Sequence, residues 1–62
     1  MRDEKRIPGI IAELEQVWKL YPDWRLGQLI CNIGRAHGYN DPFYIEDDDI
    51  LKELKNMRQA EK

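Results

Sequence analysis

The chain has 62 residues, of which 42% are hydrophobic and 35% charged, and ten Lys and Arg residues against twelve Asp and Glu residues give a formal net charge of −2. This length predicts one small domain, and the slightly negative charge disfavours nucleic acid and anionic membranes as partners. The single cysteine excludes an internal disulfide, and one Cys with one His is too few for a structural zinc site, so we expect no metal and no cofactor.

The first predicted helix begins between Arg6 and Pro8 and ends at Tyr21. Its apolar residues recur with the helical period and share one stripe: Ile7, Ile10, Ile11, Leu14, Val17, Trp18 and Tyr21. Pro8 suits a first turn, where its missing N–H has no partner, and Pro22 disfavours a helical conformation in the residue before it. The pattern is typical of an amphipathic helix, and we expect residues 1–5 to fray before it.

The second predicted helix runs from Trp24 to about His37, with Asp23 as its N-terminal cap and Gly38 as a left-handed residue after its end. Two adjoining sides of it are rich in apolar or small residues: Leu26, Leu29, Ile30, Ile33 and Ala36 on one, and Gly27, Cys31 and Gly34 on the other. A helix that is apolar on two sides needs a neighbour on each. We therefore predict that helix 2 is central and packs between helices 1 and 3, with the small residues letting one neighbour approach closely.

The third predicted helix begins between Asp47 and Asp49, after a turn at residues 40–42, and ends near Arg58, with residues 59–62 frayed. Its apolar strip is narrow and consists of Ile50, Leu51, Leu54 and Met57. The acids that open this helix suit the positive end of the helix dipole, so we interpret them as a cap. They lack the ligand spacing of a calcium-binding loop, which disfavours a metal site, while an acidic docking patch remains an open alternative.

These patterns predict an all-α fold in which residues 1–62 form a single three-helix domain. No apolar segment is long enough for a secretory signal or a membrane-spanning helix, so the sequence predicts a soluble, cytoplasmic protein.

The residues that are candidates for binding a partner lie in or beside the two loops: Tyr21, Trp24, Arg25, Tyr39, Phe43 and Tyr44. For Phe43, as for Trp18, the favoured interpretation is burial in the core. For Trp24 and the tyrosines, burial and partner contact both remain open. Antiparallel helices would place the two loops at opposite ends, so these residues need not form one patch.

Catalytic chemistry finds no support in the sequence. Cys31 and His37 are six residues apart on one predicted helix, about two turns along its axis, which is too far for a nucleophile and its base. Phosphate loops, zinc hydrolase motifs and nucleophile elbows are absent, so we predict that the protein is not an enzyme. A helix-turn-helix regulator is disfavoured by the acids that open the third helix, although Arg25 and Arg35 project from the second.

Several spaced residues carry a resemblance: Leu14, Trp18, Pro22, Asp23, Leu26, Gln28, Ile30, Gly38, Asp48, Asp49, Leu54, Lys55, Met57 and Arg58. The pattern resembles the YihD-like family of short bacterial proteins of unknown function. The resemblance implies a helical protein of bacterial or phage origin and transfers no catalytic residue.

The function predicted from these observations is that of a small non-catalytic protein-interaction module or regulatory accessory protein. Its partner would be another protein or a second copy of the chain in a homodimer, because a core of this size gains stability from association. The alternative is a nucleic-acid-binding regulator of helix-turn-helix-like build.

Overall fold

A computed structural model describes residues 3–60. In that range the chain forms helix α1 (Arg6–Leu20), helix α2 (Leu26–Ala36), a short 3-10 helix (Pro42–Tyr44) and helix α3 (Asp47–Ala60), and no strand. The predicted all-α, three-helix fold is confirmed. Helix α3 extends two residues beyond Arg58, through positions predicted to fray. The predicted fraying of residues 1–2 and 61–62 lies outside the described residues.

Helix α2 begins two residues later than predicted, and Asp23 is not its cap. Trp24 instead closes a turn by donating its N–H to the Tyr21 carbonyl at 3.0 Å, which keeps it outside the helix. Arg25 is the extended N-cap residue, and its N–H donates to the Gln28 side chain at 2.8 Å. The signal for this boundary is the glutamine three residues into the helix, whose amide oxygen can reach back to a free N–H group.

The C-terminal end of α2 follows the prediction. Gly38 has a φ of 80°, a left-handed conformation that glycine adopts without a steric penalty. The chain reverses there, so that the Tyr39 N–H donates to the Gly34 carbonyl at 2.9 Å and caps the last turn.

The central position belongs to α3 rather than to α2, which corrects the predicted packing order. Helix α1 packs most extensively against α3, and α2 also contacts α3. Two ion pairs join α1 and α3, Arg6 with Asp47 and Glu13 with Arg58. Their residue numbers rise together along both helices, so α1 and α3 run parallel.

Helix α2 runs antiparallel to α3. His37 contacts Glu53 at 3.1 Å, and Tyr39, beyond the end of α2, bonds to Asp49 near the start of α3. As the residue number rises from His37 to Tyr39, the number of the contacted α3 residue falls from 53 to 49. The three helices consequently form an up-down-up arrangement in which both of the first two rest on the third.

The core of the described chain is small. Four side chains are fully buried, and they come from all three helices: Val17, Leu29, Ile33 and Leu54. Partly buried residues surround them: Leu14, Tyr21, Trp24, Ile30, Ile50 and Met57. Leu54, the one fully buried residue of α3, packs in one cluster with residues of both other helices.

The small-residue side of α2 is covered only at one end, and by a loop. A Cβ atom at Gly34 would lie 3.0 Å from the Ile45 side chain and 3.8 Å from Tyr39 Cβ, both of which follow α2 in the chain. A Cβ atom at Gly27 would have no neighbouring atom within 4 Å. The prediction of a closely packed helix on this side is therefore wrong at Gly27, and at Gly34 the covering group is Ile45.

Alanine substitutions at these two glycines are expected to differ in effect. Gly27→Ala should stabilise the protein by about 0.5–1 kcal/mol, because alanine loses less backbone entropy in a helix and the site is open. Gly34→Ala has the same entropic gain but overpacks Ile45, at a cost of roughly 1–3 kcal/mol. Urea denaturation should rank Gly27→Ala above wild type and Gly34→Ala at or below it; equal stability of the two variants would contradict the close packing at Gly34.

Candidate functional site

The predicted partner-binding residues fall into two groups at opposite ends of α2. Tyr21, Trp24 and Arg25 precede the helix, and the others follow it. The 11 residues of α2 separate them by about 16 Å at the standard rise per residue. The chain therefore presents two distinct candidate surfaces.

The first group is mainly structural. The rings of Tyr21 and Trp24 stack with their centroids 4.5 Å apart, and both pack against the core. The Trp18 indole N–H donates to the Trp24 carbonyl at 2.8 Å, which ties the end of α1 to the loop. Arg25 is exposed. Trp18, predicted to be buried, keeps 36% of its surface exposed, so that prediction is wrong.

Tyr39 is also held in the structure. Its hydroxyl donates to Asp49 Oδ2 at 2.9 Å, and the residue is partly buried over Gly34. The hydrogen bond to Asp49, followed by burial and the negative charges of Asp49 and Glu46, raises the pKa of Tyr39 above its ordinary value of 10.0.

This pKa shift predicts a dependence of stability on alkaline pH. Because the folded-state pKa is raised, the stabilisation from the neutral hydroxyl is fully present below pH 10 and is lost as the pH rises through the folded-state pKa. In an ultraviolet titration of tyrosinate, Tyr39→Phe should remove a component that titrates above pH 10, and Tyr44→Phe serves as the control. Loss of that component in the control instead would contradict the assignment.

Phe43 and Tyr44 form the most exposed apolar feature of the described chain. Phe43 is 83% exposed and Tyr44 66%, and the two rings meet edge to face with centroids 5.1 Å apart. The prediction that Phe43 is buried is wrong. Ile45 takes the inward position instead and is only 9% exposed, so the two aromatic side chains that precede it point outward.

The backbone holds this aromatic pair in a defined turn. Asp41 caps the 3-10 helix by accepting the Phe43 N–H at 3.0 Å, and the Tyr44 N–H donates to the Asp41 carbonyl at 3.2 Å. Pro42 fixes its own φ at the first position of this helix. Ile45 anchors the far end in contact with Gly34. The two rings are thus presented on a braced turn.

Acidic residues flank the aromatic pair in the sequence. Asp41, Glu46 and Asp48 are exposed on either side of it in the chain. Asp47, Asp48 and Asp49 lie in the first turn of α3. Asp47 accepts a hydrogen bond from Arg6 Nε at 2.6 Å, and Asp49 accepts one from the Tyr39 hydroxyl. The acids therefore open the helix as predicted, and they follow the aromatic pair closely in the chain.

Among residues 3–60, no three His, Cys, Asp or Glu side chains are placed to hold a metal ion. Cys31 is partly buried, and His37 faces Glu53. In the same range no helix has both the length and the apolar character to cross a membrane.

The sequence analysis missed an exposed apolar face on α1. An open groove of about 520 Å³ is lined there by Ile11, Leu14, Glu15, Trp18, Lys19 and Pro22. The sequence feature that could have revealed this face is the angular position of each residue around the helix axis. At 100° per residue, Ile11 and Trp18 lie at one edge of the predicted stripe and Val17 at the other, and a single neighbour covers only the Val17 edge.

Comparisons with known proteins leave the family open. The sequence matches no protein-family model, no curated protein and no solved structure. The resemblance to the YihD-like family accordingly stays a prediction, and the functional argument depends on the geometry described above.

Proposed function

We propose that this chain is a small non-catalytic protein-interaction module, a cytoplasmic accessory protein of bacterial or phage origin that binds another protein through Phe43 and Tyr44. The observation that carries the proposal is the exposure of these two rings, 83% and 66%, on a turn braced at both ends. A domain with a small core needs most of its large apolar side chains to be buried for stability. Two that point into solvent are most simply explained by a partner that covers them.

The physical basis is the energetics of binding hot spots. Aromatic side chains bury a large area at little cost in conformational entropy, and a turn that is already ordered loses little further freedom on binding. The edge-to-face packing of Phe43 on Tyr44 restricts both rings before any partner arrives. The pair therefore suits insertion into a preformed pocket.

The acidic residues near the aromatic pair indicate the charge expected at the rim of the partner's pocket. Asp41 and Asp48 are exposed and lie two and four residues from the pair in the chain. A complementary partner has an apolar pocket with Lys or Arg at its rim, and such charges chiefly set the association rate and the specificity. Binding should then weaken as the salt concentration rises, because exposed charges are screened.

The test compares two double variants in co-purification from the native host. Phe43→Ser with Tyr44→Ser should lose a protein that the wild type retains, with a decrease in affinity of at least about 30-fold, typical of hot-spot residues. The control, Leu20→Ser with Leu26→Ser, removes apolar residues that are each 42% exposed at the other end of the molecule and should retain the partner. If every protein retained by the wild type also binds the Phe43 and Tyr44 variant, the proposal is wrong.

A nucleic-acid-binding regulator is the second candidate, and one observation favours it. Helix α2 carries no acidic residue, and Arg25, Gln28, Asn32 and Arg35 follow one another at helical spacing on its outer side. Arg, Asn and Gln are the residue types that read base edges. Binding of mixed-sequence DNA or RNA that weakens with salt and is lost in Arg25→Ala with Arg35→Ala would favour this candidate over the first.

A further inference from the structure

The outer face of α1, defined as Ile7, Ile11, Leu14 and Trp18, carries apolar surface that the rest of the described chain leaves uncovered. Ile7 is 49% exposed and Ile11 56%, and Leu14 and Trp18 are partly covered. The successive spacings of four, three and four residues are those of a seam between two packed helices. This face is distinct from the Phe43 and Tyr44 surface.

The two halves of the outer face differ in shape. The C-terminal half holds the groove of about 520 Å³ between Leu14, Trp18 and Pro22. The N-terminal half presents Ile7, which projects from the first turn with half of its surface exposed. One half of α1 is therefore a recess, and the other half carries a side chain of suitable size and chemistry to fill it.

We infer that the outer face of α1 binds a second copy of this chain in an antiparallel arrangement about a two-fold axis. Each copy inserts Ile7 beside Trp18 of the other copy, and Ile11 lies opposite Leu14. A two-fold interface uses the same patch on both copies, so the patch must be complementary to itself. The recess and the projection on one helix satisfy that condition only when the helices run in opposite directions.

The charges beside the outer face favour the same direction. Glu4, one turn before Ile7, and Lys19, just after Trp18, lie near opposite ends of one edge of α1. Antiparallel pairing about an axis perpendicular to the helices places this edge of both copies on the same flank, which brings Glu4 of each copy near Lys19 of the other. Lys19 is held by Glu15 in an exposed ion pair at 3.1 Å, which is weak enough to exchange.

The area of the outer face sets the expected affinity of the dimer. Helix α1 has 15 residues and is about 22 Å long, so one of its faces is smaller than the roughly 800 Å² per partner of a standard interface. The total accessible surface of one copy is 4942 Å². A reversible dimer that dissociates on dilution is therefore expected, rather than an obligate one.

The test is the mass in solution measured by sedimentation over a dilution series. The wild type should rise from 7.4 kDa towards twice that value as its concentration increases. Ile11→Glu, placed in the centre of the face, should stay at the mass of one chain, while Ala12→Glu, an equal change of charge on the exposed neighbouring position, should behave as wild type. A mixture of Ile11→Glu with Ile11→Lys should recover association, because the two-fold axis brings these positions close together.

A wild type that remains at 7.4 kDa at all concentrations overturns the inference, as does an Ile11→Glu chain that still associates or an Ala12→Glu chain that does not. A measurement on the unmodified sequence guards against misfolded variants: in a mixed-isotope sample, NMR contacts should join Ile7 methyl groups of one copy to the Trp18 ring of the other. Their absence at concentrations where the mass doubles would exclude this arrangement. The Phe43→Ser and Tyr44→Ser variant should dimerise normally, so this inference and the proposed function fail independently.

Discussion

Replacing Leu54 with alanine is expected to leave the protein largely unfolded at 25 °C. Leu54 is fully buried on the central helix and belongs to the same cluster as Val17, Leu29 and Ile33. Removal of a buried leucine side chain costs about 2–5 kcal/mol, because apolar burial is lost and a cavity remains. A core of this size rarely supplies more than roughly 3–5 kcal/mol, so one such substitution consumes most of the stability.

Phe43→Ala provides the matched control for Leu54→Ala. It also removes a large apolar side chain, but one that is 83% exposed, so its effect should stay within about 0.5 kcal/mol. Far-ultraviolet circular dichroism during urea denaturation measures both variants. Similar losses in the two would show that Phe43 is buried in solution and would contradict the outward turn.

Replacing Asp47, Asp48 and Asp49 together with alanine is expected to lower the melting temperature by about 10 °C. These acids occupy the first turn of α3, where each stabilises the helix dipole by roughly 0.3–1 kcal/mol. The variant also loses the partly exposed ion pair to Arg6 and the hydrogen bond from Tyr39. A total loss of about 2 kcal/mol corresponds to that shift in a domain of this size.

Single substitutions separate the two contributions of the acids. Asp48→Ala removes one exposed charge from the first turn and should have the smallest effect. Asp47→Ala also removes the bond to Arg6 of α1, and Asp49→Ala removes the bond from Tyr39 at the end of α2. Each of these two variants should therefore lose more stability than Asp48→Ala. An equal effect at all three positions would mean that only the helix dipole matters. An unchanged melting temperature in the triple variant would rule out the cap.

Local rules were sufficient for the helices themselves, apart from the start of α2, where Asp23 was wrongly predicted to be the cap. Hydrophobic periodicity predicted all three, Pro22 marked the end of α1 within one residue, and Gly38 marked the end of α2. The acids at the start of α3 also follow from local electrostatics. In each case the determining groups lie within a few residues of one another, so the sequence contains the whole interaction.

The candidate site could be predicted only as a set of residues. Loop position pointed to Phe43 and Tyr44, but it pointed equally to Tyr39 and Trp24, which the fold uses to cover Gly34 and the core. One of three consecutive apolar residues had to face inward, and composition alone does not say which. The close approach of Ile45 to Gly34, across α2 and its following loop, selects Ile45.

The sequence by itself determined the number and type of the helices, their proline and glycine boundaries and the acidic opening of α3, because these depend on short-range sterics and dipoles. Only the tertiary structure decided that α3 is central, that the aromatic pair points outward and that the outer face of α1 stays open. These features depend on which apolar surfaces meet across the chain. Several packings of three amphipathic helices bury similar areas, and the periodicity of each helix is the same in all of them.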